Sequence, residues 1–206
     1  MNQWGNSKMP SVVGVVKYGI AGNIHSIINV IKAAGGVVKI IEKSSDFTNV
    51  DKVVLPGVGS FHDGIKELGQ SNLIEAIRLC DKPVLGICLG MQILAKIGFE
   101  YGRTEGLGII NAEVKSVECD GPVPHVGFNS IKAICQDPLF DGVEGDEFYF
   151  MHSYELVNYT DILALTEYAG HEFVSAVKKD NFYGVQFHPE KSRESGIKLI
   201  KNFINI

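Results

Sequence analysis

The chain has 206 residues, 45% of them hydrophobic and 21% charged, which suits one domain with a sizeable core and leaves no room for a second, acceptor-binding domain. A formal net charge of -5, with no Lys/Arg cluster interleaved with aromatics, argues against a nucleic-acid surface. Cys80, Cys88, Cys119 and Cys135 lack paired metal-ligand spacings, and the only apolar stretch near the start, residues 11–16, is too short to cross a bilayer and lacks a signal peptide's layout. A reducing cytoplasmic compartment, with no membrane contact, is therefore expected.

Residues 1–10 read as a flexible extension and residues 11–206 as the folded domain. Residues 11–16 predict a strand. Tyr18-Gly19-Ile20-Ala21-Gly22-Asn23 follows, then a helical pattern of Ile24, Ile27, Ile28 and Ile31 closed by Gly35-Gly36. Glycines at 19 and 22 do not make the Gly-x-Gly-x-x-Gly spacing of a dinucleotide loop. Residues 37–41 and 51–55 predict further strands, the second ending in Pro56-Gly57-Val58-Gly59. Glycines there let backbone N–H groups turn inward, as stabilising an oxyanion requires. A helical stretch is expected over residues 61–80.

The segment Lys82-Pro83-Val84-Leu85-Gly86-Ile87-Cys88-Leu89-Gly90-Met91-Gln92 is an apolar strand that stops at a cysteine set between two glycines. A lone cysteine in an apolar run is usually structural. Here the Gly-x-Cys-x-Gly frame at a strand-to-helix junction predicts a nucleophile elbow, with Gly86 and Gly90 relieving the crowding. Amides at the start of the following helix favour negative charge on the sulfur, and the Leu89 amide is the expected partner of Val58 and Gly59 in an oxyanion hole. Gln92, four residues on, shares the helix face of Cys88 and could hydrogen-bond a substrate's polar end.

From residue 109 onward, short apolar segments alternate with Gly, Pro, Asn and Asp turns; residues 113–117, 147–151, 162–165 and 173–177 read as antiparallel or mixed strands. One hundred positions after Cys88, the strand Tyr183-Gly184-Val185-Gln186-Phe187 ends in His188-Pro189-Glu190. Proline ends the strand pairing, and Glu190 can lie on the side of His188, so Cys88, His188 and Glu190 form a candidate triad. A final helix is expected over residues 193–203. The fold class is α/β: three layers, with a mixed, largely parallel sheet flanked by helices.

The elbow and Phe187-His188-Pro189-Glu190 resemble class I (triad) glutamine amidotransferases. Leu55-Pro56-Gly57-Val58-Gly59-Ser60-Phe61, Val123-Pro124-His125-Val126-Gly127-Phe128-Asn129 and His152-Ser153-Tyr154 are similar to the glutaminase subunits of imidazole glycerol phosphate synthase. The resemblance covers nearly the whole chain after Pro10. It implies a glutamine substrate, with Glu100 beside its amino group and the backbone of His152, Ser153 and Tyr154 along it. It also implies, as partner in a heterodimer, a (β/α)8-barrel cyclase/synthase subunit, with Asn23, Phe128 and Lys191 at the interface. No cofactor or metal is expected. A lone His152 is more often a satisfied core residue than a catalyst, and Glu100 by itself reads equally as a solvated side chain.

The implied reaction is hydrolysis of glutamine to glutamate and ammonia through a thioester on Cys88, the ammonia feeding histidine biosynthesis. The related subunits usually carry Trp where this chain has Phe128, which keeps open a similar glutaminase serving amidation of a surface-polysaccharide sugar. The other readings are a stand-alone γ-glutamyl cysteine hydrolase and a non-catalytic regulatory subunit.

Overall fold

A computed structural model describes residues 9–18, 24–57 and 59–206. Asn23, Val58 and residues 1–8 of the expected extension lie outside the described residues. The strands are β1 (Val12–Val16), β2 (Val37–Ile41), β3 (Lys52–Leu55), β4 (Val84–Ile87), β5 (Ala95–Gly98), β6 (Thr104–Glu105), β7 (Ile110–Ser116), β8 (His125–Ser130), β9 (Lys132–Ala133), β10 (Glu147–His152), β11 (Tyr154–Val157), β12 (Ile162–Tyr168), β13 (His171–Lys179) and β14 (Phe182–Val185). The helices are α1 (Ile24–Ala33), α2 (Phe61–Gln70), α3 (Ile74–Arg78), α4 (Leu89–Gln92) and α5 (Arg193–Asn205).

The central sheet runs β2-β1-β3-β4-β14-β13-β12-β9. Its first five strands pair in parallel and the remainder antiparallel. The parallel strands are apolar on both faces because both are covered: every residue of β4 and of β14 is buried. On one face, Ile27, Val30 and Ile31 of α1 and Leu199, Ile200 and Phe203 of α5 form helical stripes against Val13, Val15, Leu85, Ile87 and Val185. On the other, Phe61 and Leu68 of α2 pack with Val53, Leu55 and Val84.

The outer layers contain more than helices. A two-stranded sheet, β10-β8, joins the α1/α5 side through Phe148 and Phe150, and a four-stranded sheet, β11-β7-β5-β6, joins the α2 side through Ile110, Val114 and Leu156. The helix expected over residues 61–80 is divided. Asn72 takes a left-handed φ of 54° and the Leu73 amide reaches back to the Leu68 carbonyl, ending α2 before α3 begins.

The helix expected after the elbow is a single turn. The carbonyls of Ile93, Leu94 and Ala95 accept from the amides of Leu107, Ile110 and Gly108, so tertiary pairing draws the chain into β5 instead of a longer helix. A single turn carries little macrodipole, so the expected electrostatic pull on the Cys88 sulfur reduces to local amides.

Close backbone approach explains the elbow glycines. A Cβ on Gly86 would overlap the Gly90 carbonyl, and one on Gly90 would overlap the Leu55 carbonyl of β3. Gly90→Ala is expected to destabilise the protein by about 1–3 kcal/mol, as forced overpacking does, read as a lower urea midpoint with unchanged slope.

Candidate active site

Sheet order brings the chemistry together. Leu55 of β3 is level with Gly86 of β4, and Ile87 of β4 is level with Val185 of β14. Parallel pairing makes the loop after Leu55, the cysteine after Ile87 and the histidine after Phe187 leave the same sheet edge side by side. Ligand sites in open α/β sheets lie at this carboxyl edge.

Cys88 sits on its turn with φ 51° and ψ -107°, a sparsely populated conformation costing about 1–3 kcal/mol. Its amide donates to the Val185 carbonyl at 2.7 Å, tying the Cys88 backbone to the strand that leads to His188. Gly57 packs against this turn so closely that a Cβ there would overlap the Leu89 and Gly90 amides. Gly59 lies in the left-handed region, at φ 111°.

His188 and Glu190 make the pair that the His-Pro-Glu spacing predicts: Nδ1 lies 2.8 Å from Glu190 Oε1, with both side chains almost fully buried. Burial alone pulls the imidazole pKa down, but the negative Cys88 sulfur and then Glu190 outweigh it and raise it to about 10. Nε2 is buried with no hydrogen bond of good geometry, so Cys88 acts on the ring as a nearby charge more than as a formed hydrogen-bond partner. The backbone of His188 is clamped as well. His188 N donates to the Tyr149 carbonyl at 2.8 Å, Tyr149 N to Ser192 Oγ at 2.9 Å, and Ser192 Oγ to the His188 carbonyl at 2.6 Å.

A cleft of about 330 Å³ opens onto this edge, lined by Gly57, Gly59, Cys88, Leu89, Gln92, Glu100, Pro124, Met151, His152, Ser153, Tyr154 and His188. A larger cavity, about 900 Å³, lies between residues 131 and 145 and contains no triad member. Volume alone misleads here; the convergent polar groups belong to the smaller cleft.

The expected substrate contacts line the cleft in different ways. Gln92 is buried, and its Nε2 donates to the Tyr154 carbonyl at 2.9 Å and to Gln186 Oε1 at 3.0 Å, leaving its own oxygen as acceptor. Glu100 follows β5 rather than lying on a helix, and one of its carboxylate oxygens accepts from the Phe61 amide at 2.7 Å. His152 is buried; Nδ1–H donates to the Tyr154 carbonyl at 2.9 Å and Nε2 faces His125 Nδ1 at 3.3 Å. Burial first, then His125 and His188, pull its pKa down to about 4, against the Tyr154 hydrogen bond, so it stays neutral. The Ser153 carbonyl is occupied by the Val117 amide.

Beside the cleft, β8 and β10 present an outward face of cross-strand pairs, Val126 with Met151 and Phe128 with Tyr149. Arg193 lies 4.7 Å over the Phe128 ring and Lys191 5.5 Å over Tyr149, so the two expected interface residues belong to one aromatic and cationic patch. Sequence reasoning missed Tyr149, Met151, Arg193, Ser192, Gln186 and Tyr18. Tyr18 is buried and donates its hydroxyl to the Pro56 carbonyl, bracing the loop before Gly57. Burial, then the Cys88 charge, pushes its hydroxyl pKa up. Gln186 had one readable signal: two residues before His188, it shares that side of the strand.

His188 holds its proton to higher pH in the folded chain than the ordinary 6.5, so its interactions contribute fully below about pH 6.5 and are lost as pH rises through about 10. The urea-midpoint advantage of the parent over His188→Gln should shrink from pH 6.5 to pH 10. An advantage growing with pH would mean that the fold holds His188 neutral.

A family model for glutamine amidotransferase class-I matches residues 16–206. The chain is 39% identical to imidazole glycerol phosphate synthase subunit HisH 1 of Campylobacter jejuni subsp. jejuni, over 90% of this chain and 96% of the relative. It is 42% identical to subunit HisH of Yersinia pseudotuberculosis, over 89% and 94%. Among solved structures, its fold is similar to that of PurLQS from Thermotoga maritima, with TM-score 0.73 and 17% identity over 96% of this chain and 99% of that one. A match over nearly the whole chain, joined to relatives near two-fifths identity, establishes that it belongs to the class I glutamine amidotransferase family.

Proposed function

We propose that the chain is the glutaminase subunit of an imidazole glycerol phosphate synthase, working in the cytoplasm and passing ammonia to a (β/α)8-barrel synthase subunit in a heterodimer. The observation that carries this reading is the Cys88, His188 and Glu190 constellation at neighbouring strand ends. Its setting is a chain 39–42% identical to subunits named for that synthase.

In the reaction, Cys88 Sγ forms a bond to the glutamine carboxamide carbon, and the charge gathering on oxygen meets the amides of Gly59 and Leu89, with Val58 the further donor expected from the sequence. His188, as imidazolium held by Glu190, protonates the leaving nitrogen; the C–N bond breaks and ammonia departs. Neutral His188 then takes a proton from water as it adds to the thioester, and the C–S bond breaks to give glutamate. Gln92 Oε1 accepts an N–H of the substrate, and Glu100 faces its ammonium group. The His152, Ser153 and Tyr154 backbone runs along the substrate, while neutral His152 braces that backbone.

Ammonia freed into water would be protonated and lost, so a partner has to cover the cleft. The patch containing Phe128 and Lys191 is the proposed contact, and Asn23 is a further interface position that the resemblance implies. Phe128, where the resemblance leads one to expect Trp, leaves open one second reading, a glutaminase for a sugar-amidating synthase.

Glutamine hydrolysis should be low for the chain alone and strongly stimulated by a barrel synthase with its ribonucleotide substrate. No stimulation, with Cys88 still labelled by a glutamine analogue, would move the assignment to the second reading. In the complex, Cys88→Ala should lower glutamine-dependent synthesis by at least about 10⁴-fold while sparing synthesis from added ammonia. Loss of both would break the proposed division of labour. Phe128→Glu should weaken partner binding about tenfold or more, measured by calorimetry, with Cys88 labelling retained.

A further inference from the structure

We infer that Gln186 is a positioning residue for Cys88, donating an amide hydrogen bond to the sulfur in an orientation set by the Tyr154 carbonyl. This deepens the proposed function and rests on Cys88 being the nucleophile. Gln186 follows β14, is fully buried, and anchors its backbone through its amide to the Ser175 carbonyl at 2.9 Å. Its Nε2 lies 3.4 Å from Cys88 Sγ.

One backbone atom decides the polarity of this arrangement. The Tyr154 carbonyl can only accept, so the Gln92 atom at 2.9 Å from it is the nitrogen. The same nitrogen meets Gln186 at 3.0 Å, and the Gln186 atom there must be oxygen. Its other end, the NH₂, therefore points at the sulfur. His152 Nδ1–H takes the second lone pair of the Tyr154 carbonyl, so both acceptor sites are filled and the chain of bonds has a single sense.

A second polar neighbour of the sulfur, the Met151 carbonyl at 3.9 Å, can only accept and so offers nothing to a thiolate. Gln186 is nearer, at 3.4 Å, and supplies a donor. Once the thiol proton has gone to His188, this donor holds the anion and limits its rotation. The titratable groups acting with the sulfur are His188 after β14, backed by Glu190, and Tyr18 after β1; the Gln186 amide itself carries no charge.

The test is the rate of Cys88 alkylation by iodoacetamide across pH, read by peptide mass spectrometry so that Cys80, Cys119 and Cys135 are resolved. In Gln186→Met, the midpoint of the profile should rise by about one pH unit, making alkylation about tenfold slower below it. Gln186→Glu keeps the acceptor for Gln92 but replaces the donor with a carboxylate, and should shift the midpoint at least as far. The parent protein supplies a measurement independent of refolding: the Gln186 side-chain amide proton resonances should titrate in step with Cys88 alkylation and stop doing so in Cys88→Ala. Normal parental labelling with an unmoved midpoint in a folded variant, or amide resonances blind to Cys88, would overturn the role of Gln186 alone. A parent in which Cys88 labels no faster than the other cysteines would overturn the nucleophile, and the role of Gln186 with it.

Discussion

Parallel pairing of β3, β4 and β14 is the constraint on which the site depends. Residues near 57, 88 and 188 are remote in the chain, and only strands running in one direction, in this register, deliver all three to one edge. A slip of one residue between β4 and β14 would turn Gln186 and His188 away from the sulfur together. The antiparallel turn from β13 into β14 sets that register from outside the parallel block, with Ala176 level with Val185. Burial of both faces of β4 and β14 keeps it there.

The site stores strain and buried polarity, and the surroundings offset both. Cys88 holds a left-handed backbone without being glycine, and the contacts of Gly57, Gly86 and Gly90 leave no other course for the turn. His125 and His152 bring two imidazoles into the interior, but burial keeps them uncharged and each has a partner. His125 also stacks on Tyr168 at 3.9 Å between ring centroids. Such a pair costs little because no charge is desolvated. The imidazole that does carry charge, His188, has a carboxylate 2.8 Å away.

The elements that can be read from sequence are those whose signal is local. A proline-opened apolar run ending in Gly-x-Cys-x-Gly announces the strained turn, and His-Pro-Glu announces an imidazole paired with a carboxylate, because both depend on steric and hydrogen-bond rules spanning a few residues. The length of α4 was not legible in that way: Met91, Ile93 and Leu94 suit a helix, and only carbonyl pairing with residues 107–110 ends it. Nor was the use of Gln92. Helical spacing put it near Cys88, but its protons go to Tyr154 and Gln186, a distribution set by strands 60 to 95 residues away in the chain. The outward face of β8 and β10 is a similar case, since Phe128 acquires meaning only when paired with Tyr149 and capped by Arg193. Of the two small sheets, the strands at residues 113–117 and 147–151 were legible, but their separation from the central sheet rests on long-range pairing that no local pattern carries.

Tyr149 is the hinge pin between outside and inside. Its ring stands on the outer face beneath Lys191, while its carbonyl and amide close a small ring of hydrogen bonds with His188 and Ser192. A body pressing on that ring bears, within one residue, on the backbone of His188. The face and the backbone of His188 form one mechanical part: β10 cannot be displaced alone without breaking bonds that fix that backbone, so the placing of the histidine is registered on the protein's surface.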